Sequence, residues 1–262
     1  MQIIDIHTHI YPEDIAQKAT DSVRHFYDIG TDGLVGTVDQ LLQRKKAAGI
    51  DKCVVLPVAI RPDRVRGINE FALAQAQTHR DAFIGFGTAH AAMENIGDEV
   101  DWILGKGLHG IKLHPDSQRF ALDDLRLFPM YEAAEGKLPI LIHIGDHRYN
   151  YSHPLKLHRI LDLFPRLQVI AAHFGGYSMY EEACDILLET NCVFDLSSSL
   201  MFLPDGAAER YINTYGAERV AFGSDYPMWD PATEVEKFLQ LKLTPEQQEQ
   251  IAWKTASRVL RL

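Results

Sequence analysis

Eight short apolar runs, each followed by a longer amphipathic stretch, restrict this chain more than any other feature of its sequence. The runs lie at 2–7, 52–58, 82–87, 108–113, 139–143, 167–172, 191–196 and 218–223. They have strand length, are rich in Ile and Val, and are bounded by turn-forming or polar residues. Between them apolar positions recur at helical spacing over about 38–48, 66–79, 95–105, 123–136, 154–164, 178–189, 205–215 and 231–240, with a last helix over 245–260. Thr37 with Gln40 and Ser178 with Glu181 have capping-box spacing, and Thr244 is followed by Pro245 at the first helical position. Strict alternation with no all-strand block implies parallel strands joined by right-handed crossovers.

A closed (β/α)8 TIM barrel satisfies this pattern, and 262 residues is close to its usual length of about 250. An open doubly wound sheet is the competitor. It lacks support because no G-x-G-x-x-G turn follows the first run, and Gly85-Phe-Gly87 is too short a match. With no repeat and no composition break, one domain over 1–262 is expected. The connection from 11 to 36 is long for a loop, so a helix near 13–27 is expected there, partly covering the barrel mouth.

Composition narrows the function classes. The 36 acidic residues outnumber 26 basic ones, and no Lys/Arg stripe offers a surface for nucleic acid. No apolar stretch approaches the roughly 20 residues of a membrane span, and MQIIDIHTHI lacks the basic leader of a signal peptide. Cys53, Cys184 and Cys192 are odd in number and widely spaced, which suits reduced core thiols in a cytoplasmic protein. A small-molecule substrate is the expected partner, and a homodimer stays open.

The apolar runs end in an unusual way. In DIHTH, GIKLHPDSQRF, ILIHI, IAAHF and AFGSD the apolar run is interrupted by histidine or a carboxylate. In a barrel those ends converge on the face where active sites are built. Two-residue alternation predicts that Asp5, His7 and His9 face inward while Ile4, Ile6 and Ile10 face the helices. The same phase turns Lys112 with His114, Leu141 with His143, Ala171 with His173, and Ala221 with Gly223 and Asp225 inward. Imidazoles and a carboxylate at one mouth suit a divalent ion: zinc first, with iron(II), manganese, cobalt or nickel as alternatives.

The ordered motifs D-I-H-T-H, G-I-K-L-H-P, I-L-I-H, A-A-H-F-G-G and F-G-S-D-Y-P resemble the amidohydrolase superfamily, and within it the amidohydrolase-related family of metal-dependent hydrolases and non-oxidative decarboxylases. The resemblance implies a distorted TIM barrel. It implies that His7, His9, His143 and Asp225 are metal ligands, and that His173 is a further ligand or a catalytic group. Lys112 is either a carboxylated bridge between two metals or a protonated lysine that holds a substrate carboxylate, and the second reading, with one metal, is preferred. One departure, W-K-T-A-S-R-V-L near the C-terminus where relatives have Asn-Ala, bears on helix packing.

The reaction expected first is hydrolysis of a small amide, lactone or ester. A metal ion lowers the pKa of its bound water to about 7, Asp225 shuttles the proton, and His173 or the metal stabilises the oxyanion. The alternatives are decarboxylation of an aromatic or unsaturated acid and a catalytically silent ligand-binding barrel. Lys112, His114, Arg61, Arg148, Tyr151 and Trp229 are the candidate substrate contacts, and Arg64 shares the Arg61 loop. Tyr11, Phe26, Tyr27, Tyr149 and Phe202 are rim aromatics. Asp195 and Ser197 are candidate supports for the ligands, with Asp5 beneath the metal.

Overall fold

In the computed structural model, which describes residues 1–262, the apolar runs form parallel strands. These are β1 (Ile4–Thr8), β2 (Lys52–Val55), β3 (Phe83–Gly85), β4 (Gly87–Thr88), β5 (Ile111–Leu113), β6 (Ile140–Ile142), β7 (Val169–Ala171), β8 (Val193–Asp195) and β9 (Val220–Ala221). β3 and β4 are halves of one barrel stave, separated only by Phe86, where pairing passes from β2 to β5. The ring closes between β9 and β1: Ile6 N donates to Phe222 O at 3.0 Å, and Thr8 bridges Tyr226 in parallel. Nine segments therefore make eight staves of a TIM barrel.

Alternation along the staves separates two apolar layers. Ile4, Ile6, Val54, Leu56, Ile84, Phe86, Leu141, Ile170, Val193 and Ala221 fill the barrel interior. Cys53, Val55, Ile111, Ile140, Ile142, Val169, Phe194 and Phe222 face outward against the helices. Each fully buried Ile, Leu or Phe contributes about 1.5–3 kcal/mol relative to exposure. The C-terminal helical stretch closes the floor, sending Ala256, Val259 and Leu260 into the interior cluster.

The expected inward phase of β1 is corrected here. Ile4 and Ile6 point into the barrel, and Asp5 stands in register with outward-facing Cys53. A bulge restores the histidine: the step from Asp5 to Thr8 is matched by only Cys53 to Val55, so Ile6 and His7 together oppose Val54. The β7 phase differs as well. Ala171 belongs to the outer layer, and His173 enters the mouth because it and Phe174 adopt left-handed φ of 59° and 52°.

The long first connection carries helix α1 (Ala16–Tyr27), followed by α2 (Val38–Ala47). Thr37 caps α2 through Gln40 N, but Gln40 Oε1 accepts from Val35 N rather than closing a capping box. The Thr244 capping box is complete. Ser178 caps no helix; its hydroxyl donates to Gly145 O and accepts from His147 N, tying the loops beyond β6 and β7 together. No helix is long and apolar enough to cross a membrane.

Those two loops touch backbone to backbone. Gly145 has φ +86°, and a Cβ there would lie 2.4 Å from Gly176 Cα. Gly145→Ala is expected to cost about 1–3 kcal/mol, since strained backbone and overpacking coincide. Urea unfolding measures this; an unchanged midpoint would show that the loops yield freely.

Candidate functional site

Three histidines are each fixed at Nδ1 by an atom that can only accept. His7 Nδ1 meets Asp195 Oδ2 at 2.9 Å, His9 Nδ1 meets Leu56 O at 2.7 Å, and His173 Nδ1 meets Ser197 O at 2.7 Å. Each Nδ1 therefore carries the hydrogen, and in the neutral ring Nε2 keeps a lone pair. His7 is neutral at neutral pH, because burial and the nearby Lys112 push its imidazole down to about 4. Its Nε2 lies 3.4 Å from Asp225 Oδ1, and His9 Nε2 lies 3.5 Å from the same oxygen. Donor atoms of His7, His173 and Asp225 fall within 4.8 Å of one another.

Lone pairs turned toward a carboxylate oxygen repel unless a cation stands among them. Imidazole nitrogens supported from behind by a carboxylate or a carbonyl are the arrangement that orients histidines on a metal. The donor set thus fits a divalent ion. Asp195 serves two elements at once: its Oδ1 accepts from His173 N at 3.0 Å and from Ser197 Oγ at 2.5 Å. Burial raises the Asp195 carboxyl, but His7 and Ser197 outweigh it and hold it down at about 2.

The loop after β9 brings Asp225 inward with left-handed φ of 61°, and Asp225 N donates to His7 O at 2.8 Å. Its side chain opposes burial with its surroundings. Burial would raise the carboxyl, yet the histidines around it hold it below the usual carboxylate range.

Lys112 projects from β5 into the same space and is 1% exposed, with Nζ 3.1 Å from His7 Nε2. It makes no ion pair. Burial pushes its ammonium down to about 8, against the pull of Asp225 and Asp195.

His143 stands one step further out. Its Nδ1 is 3.0 Å from His173 Nε2, and its ring stacks on His114 at 4.2 Å. A second donor group forms around it with Asp116 and Asp146. Burial pushes Asp116 up to about 6, and Ser152 donates to its Oδ2 at 2.5 Å. The structure therefore brings donor atoms of His7, His173 and Asp225 around one point, with His9 beside Asp225 and His143 touching the group through His173.

Tyr27, at the end of α1, reaches down to His114 Nε2 at 2.6 Å and His143 Nε2 at 3.3 Å. Tyr177 packs its ring against His143, His173 and Tyr27. An aromatic roof thus covers the histidine pair. Neither the role of Tyr177 nor that of Asp116 and Asp146 follows from strand periodicity, since Tyr177 and Asp146 lie in loops and Asp116 in a one-turn helix beyond the staves.

The other candidate contacts are already engaged. Arg148 pairs with Asp146 Oδ2 at 2.7 Å, donates to Phe26 O, and lies over the rings of Phe26, Tyr27 and Tyr149. It fastens α1 to the loop beyond β6. Arg61 is exposed and paired with Asp63, and Arg64 lies beside the same carboxylate. Tyr151 stacks on Tyr149. Trp229 is buried, with Nε1 donating to Ser198 Oγ at 2.8 Å. Asp5 lies behind β1, where burial pushes it up to about 7.

Comparison with known proteins agrees with this geometry at the level of fold. An uncharacterized TIM-barrel protein of Bordetella bronchiseptica superimposes with TM-score 0.85 at 24% identity, covering 100% of this chain and 99% of its own. 5-Carboxyvanillate decarboxylase of Sphingomonas paucimobilis matches with TM-score 0.78 at 17% identity over 100% and 99% of the chains. A dihydroxybenzoic acid decarboxylase of Polaromonas, solved with manganese and 2-nitroresorcinol, matches with TM-score 0.78 at 15% identity over 100% and 97%. The sequence has no match among curated proteins. The family model described as amidohydrolase matches residues 4–262. With the model covering all but the first three residues, this chain belongs to the amidohydrolase family.

Proposed function

We propose that this protein is a metal-dependent decarboxylase of an aromatic or unsaturated acid. The observation that carries the reading is a buried cation, Lys112, bonded to His7 but to no carboxylate, beneath an aromatic roof above the histidine and carboxylate donors. Proteins of similar fold that include 5-carboxyvanillate and dihydroxybenzoic acid decarboxylases support it over the hydrolysis expected first.

His7, His9, Asp225 and the His143–His173 pair would hold the ion. When bound, a divalent metal supplies Lewis-acid stabilisation of negative charge on a substrate oxygen. Zinc remains a candidate, and the manganese in the Polaromonas structure makes that ion the first to try. Lys112 binds and orients an anionic group of the substrate. Tyr27 and Tyr177 pack on its ring and exclude water. Asp225, a carboxylate at rest, takes a proton from a hydroxyl of the substrate and delivers it to the carbon that bears the carboxyl group. The C–C bond then breaks, carbon dioxide leaves, and its bonding electrons return to the ring.

Hydrolysis of a lactone, amide or ester is the second reading, favoured by the family match. A panel of hydroxylated aromatic acids, assayed with Mn2+ or Zn2+ for carbon dioxide release, separates the two. Carbon dioxide release without acid production from esters or lactones is expected. Ester or lactone cleavage with no carbon dioxide from any acid would replace this reading by hydrolysis.

Lys112→Met should raise KM for the acid by about 100-fold, the loss expected when one partner of a buried charge-assisted contact is removed. The unfolding midpoint should not fall, because an unpaired cation leaves the interior. Steady-state kinetics check the first part. An unchanged KM would remove Lys112 from substrate binding.

A further inference from the structure

The segment Asp195-Leu-Ser-Ser-Ser199 follows β8, and its middle serine stands out by conformation. Ser198 has φ +48°, a left-handed value that serine adopts only when its surroundings compensate. Its hydroxyl lies between the buried Trp229 indole and the partly buried Asp225 carboxylate. Trp229 Nε1 approaches Oγ at 2.8 Å, and Asp225 Oδ2 lies on the other side.

The direction of both hydrogen bonds is fixed by chemistry. An indole N–H can only donate, so Ser198 Oγ accepts from Trp229. A carboxylate can only accept, so the single hydroxyl proton goes to Asp225 Oδ2. Trp229, Ser198 and Asp225 form a one-way chain, with Ser198 4% and Trp229 9% exposed. Asp225 is held at its backbone as well, through the bond from its N to His7 O. With Oδ2 engaged, Oδ1 alone faces His7 Nε2 and His9 Nε2.

We propose that Ser198 and Trp229 are positioning residues that make Asp225 work through one oxygen, Oδ1. This rests on the reading of Asp225 as part of the metal and proton machinery. Trp229 then acts through Ser198 rather than as a substrate contact. Ser198 is its essential link.

The test uses the full-length 15N-labelled protein, with Mn2+ as the probe. Ser198→Ala should weaken Mn2+ binding by about 10- to 100-fold, the range for loss of a group that orients a ligand. It should lower kcat on an active acid while KM changes little. Trp229→Phe should give a smaller loss of about 3- to 10-fold, since the hydroxyl remains but is no longer directed. The double variant should match Ser198→Ala alone, because both act through one chain.

In the metal-free protein the Trp229 indole N–H resonance, assigned by its absence in Trp229→Phe, should shift in Ser198→Ala. If parent protein binds Mn2+ and Ser198→Ala binds it equally well, or if the two single losses add, the proposal is overturned. An unmoved indole resonance overturns it even if the parent binds no metal, which would count against the metal reading separately. Should Ser198→Ala not fold, Trp229→Phe with parent-like kcat and Mn2+ affinity overturns it instead.

Discussion

Asp225→Asn is expected to abolish turnover, lowering kcat by about 10³-fold or more, while the protein melts close to the parent temperature. Proton transfer by a positioned side chain is worth about 10²–10⁴-fold, and the amide cannot carry that proton at neutral pH. The amide oxygen still accepts from Ser198, and the backbone bond to His7 O is untouched. The side chain changes chemistry without changing volume, so packing survives. A parent-like kcat for this variant would reject the proton role under decarboxylation and hydrolysis alike.

His7→Ala should damage both stability and metal binding. Asp195 is fully buried, and His7 Nδ1 is the ring contact of its Oδ2 at 2.9 Å. Removing the neutral imidazole donor leaves a buried carboxylate oxygen without that hydrogen bond, at a cost of about 1–3 kcal/mol. Lys112 loses its only hydrogen-bond partner at Nζ in the same substitution. Chemical denaturation should show the loss, and Mn2+ titration should show binding weakened by more than the about 10- to 100-fold expected for loss of a merely supporting group. A variant as stable as the parent would mean that Asp195 is held by its other partners, and intact Mn2+ binding would place the ion elsewhere.

The eight staves were legible because each is a short apolar run of strand length between turn-forming residues, and the helices followed from spacing and caps. The ends of the runs also marked the site, since a barrel gathers strand ends whatever their side-chain phase. Phase itself was less legible. Simple alternation placed Asp5 inward and Ile4 and Ile6 outward, but one extra residue in β1 reverses that and still delivers His7 to the mouth. A bulge carries no reliable signal in a single sequence, because it depends on the pairing register with β2.

His173, Ser198 and Asp225 pose the same problem: left-handed backbone at non-glycine residues is imposed by the packed loops, not by local propensity. Arg148, Arg61 and Trp229 were identifiable as rim residues, yet their partners Asp146, Asp63 and Ser198 were not. Two of those partners lie only two residues away along the chain. Such short-range pairing competes with ligand binding for every loop arginine, which is why a guanidinium near a mouth is weak evidence of a substrate clamp.

The central claim is that a divalent ion binds among His7, His9 and Asp225, with the His143–His173 pair beside it. Anomalous diffraction from crystals grown with Mn2+ tests it most directly. One strong peak is expected within coordination distance of His7 Nε2, His9 Nε2 and an Asp225 carboxylate oxygen. A peak only at Asp116, His143 and Asp146, or none at the mouth despite saturating Mn2+, would contradict the account.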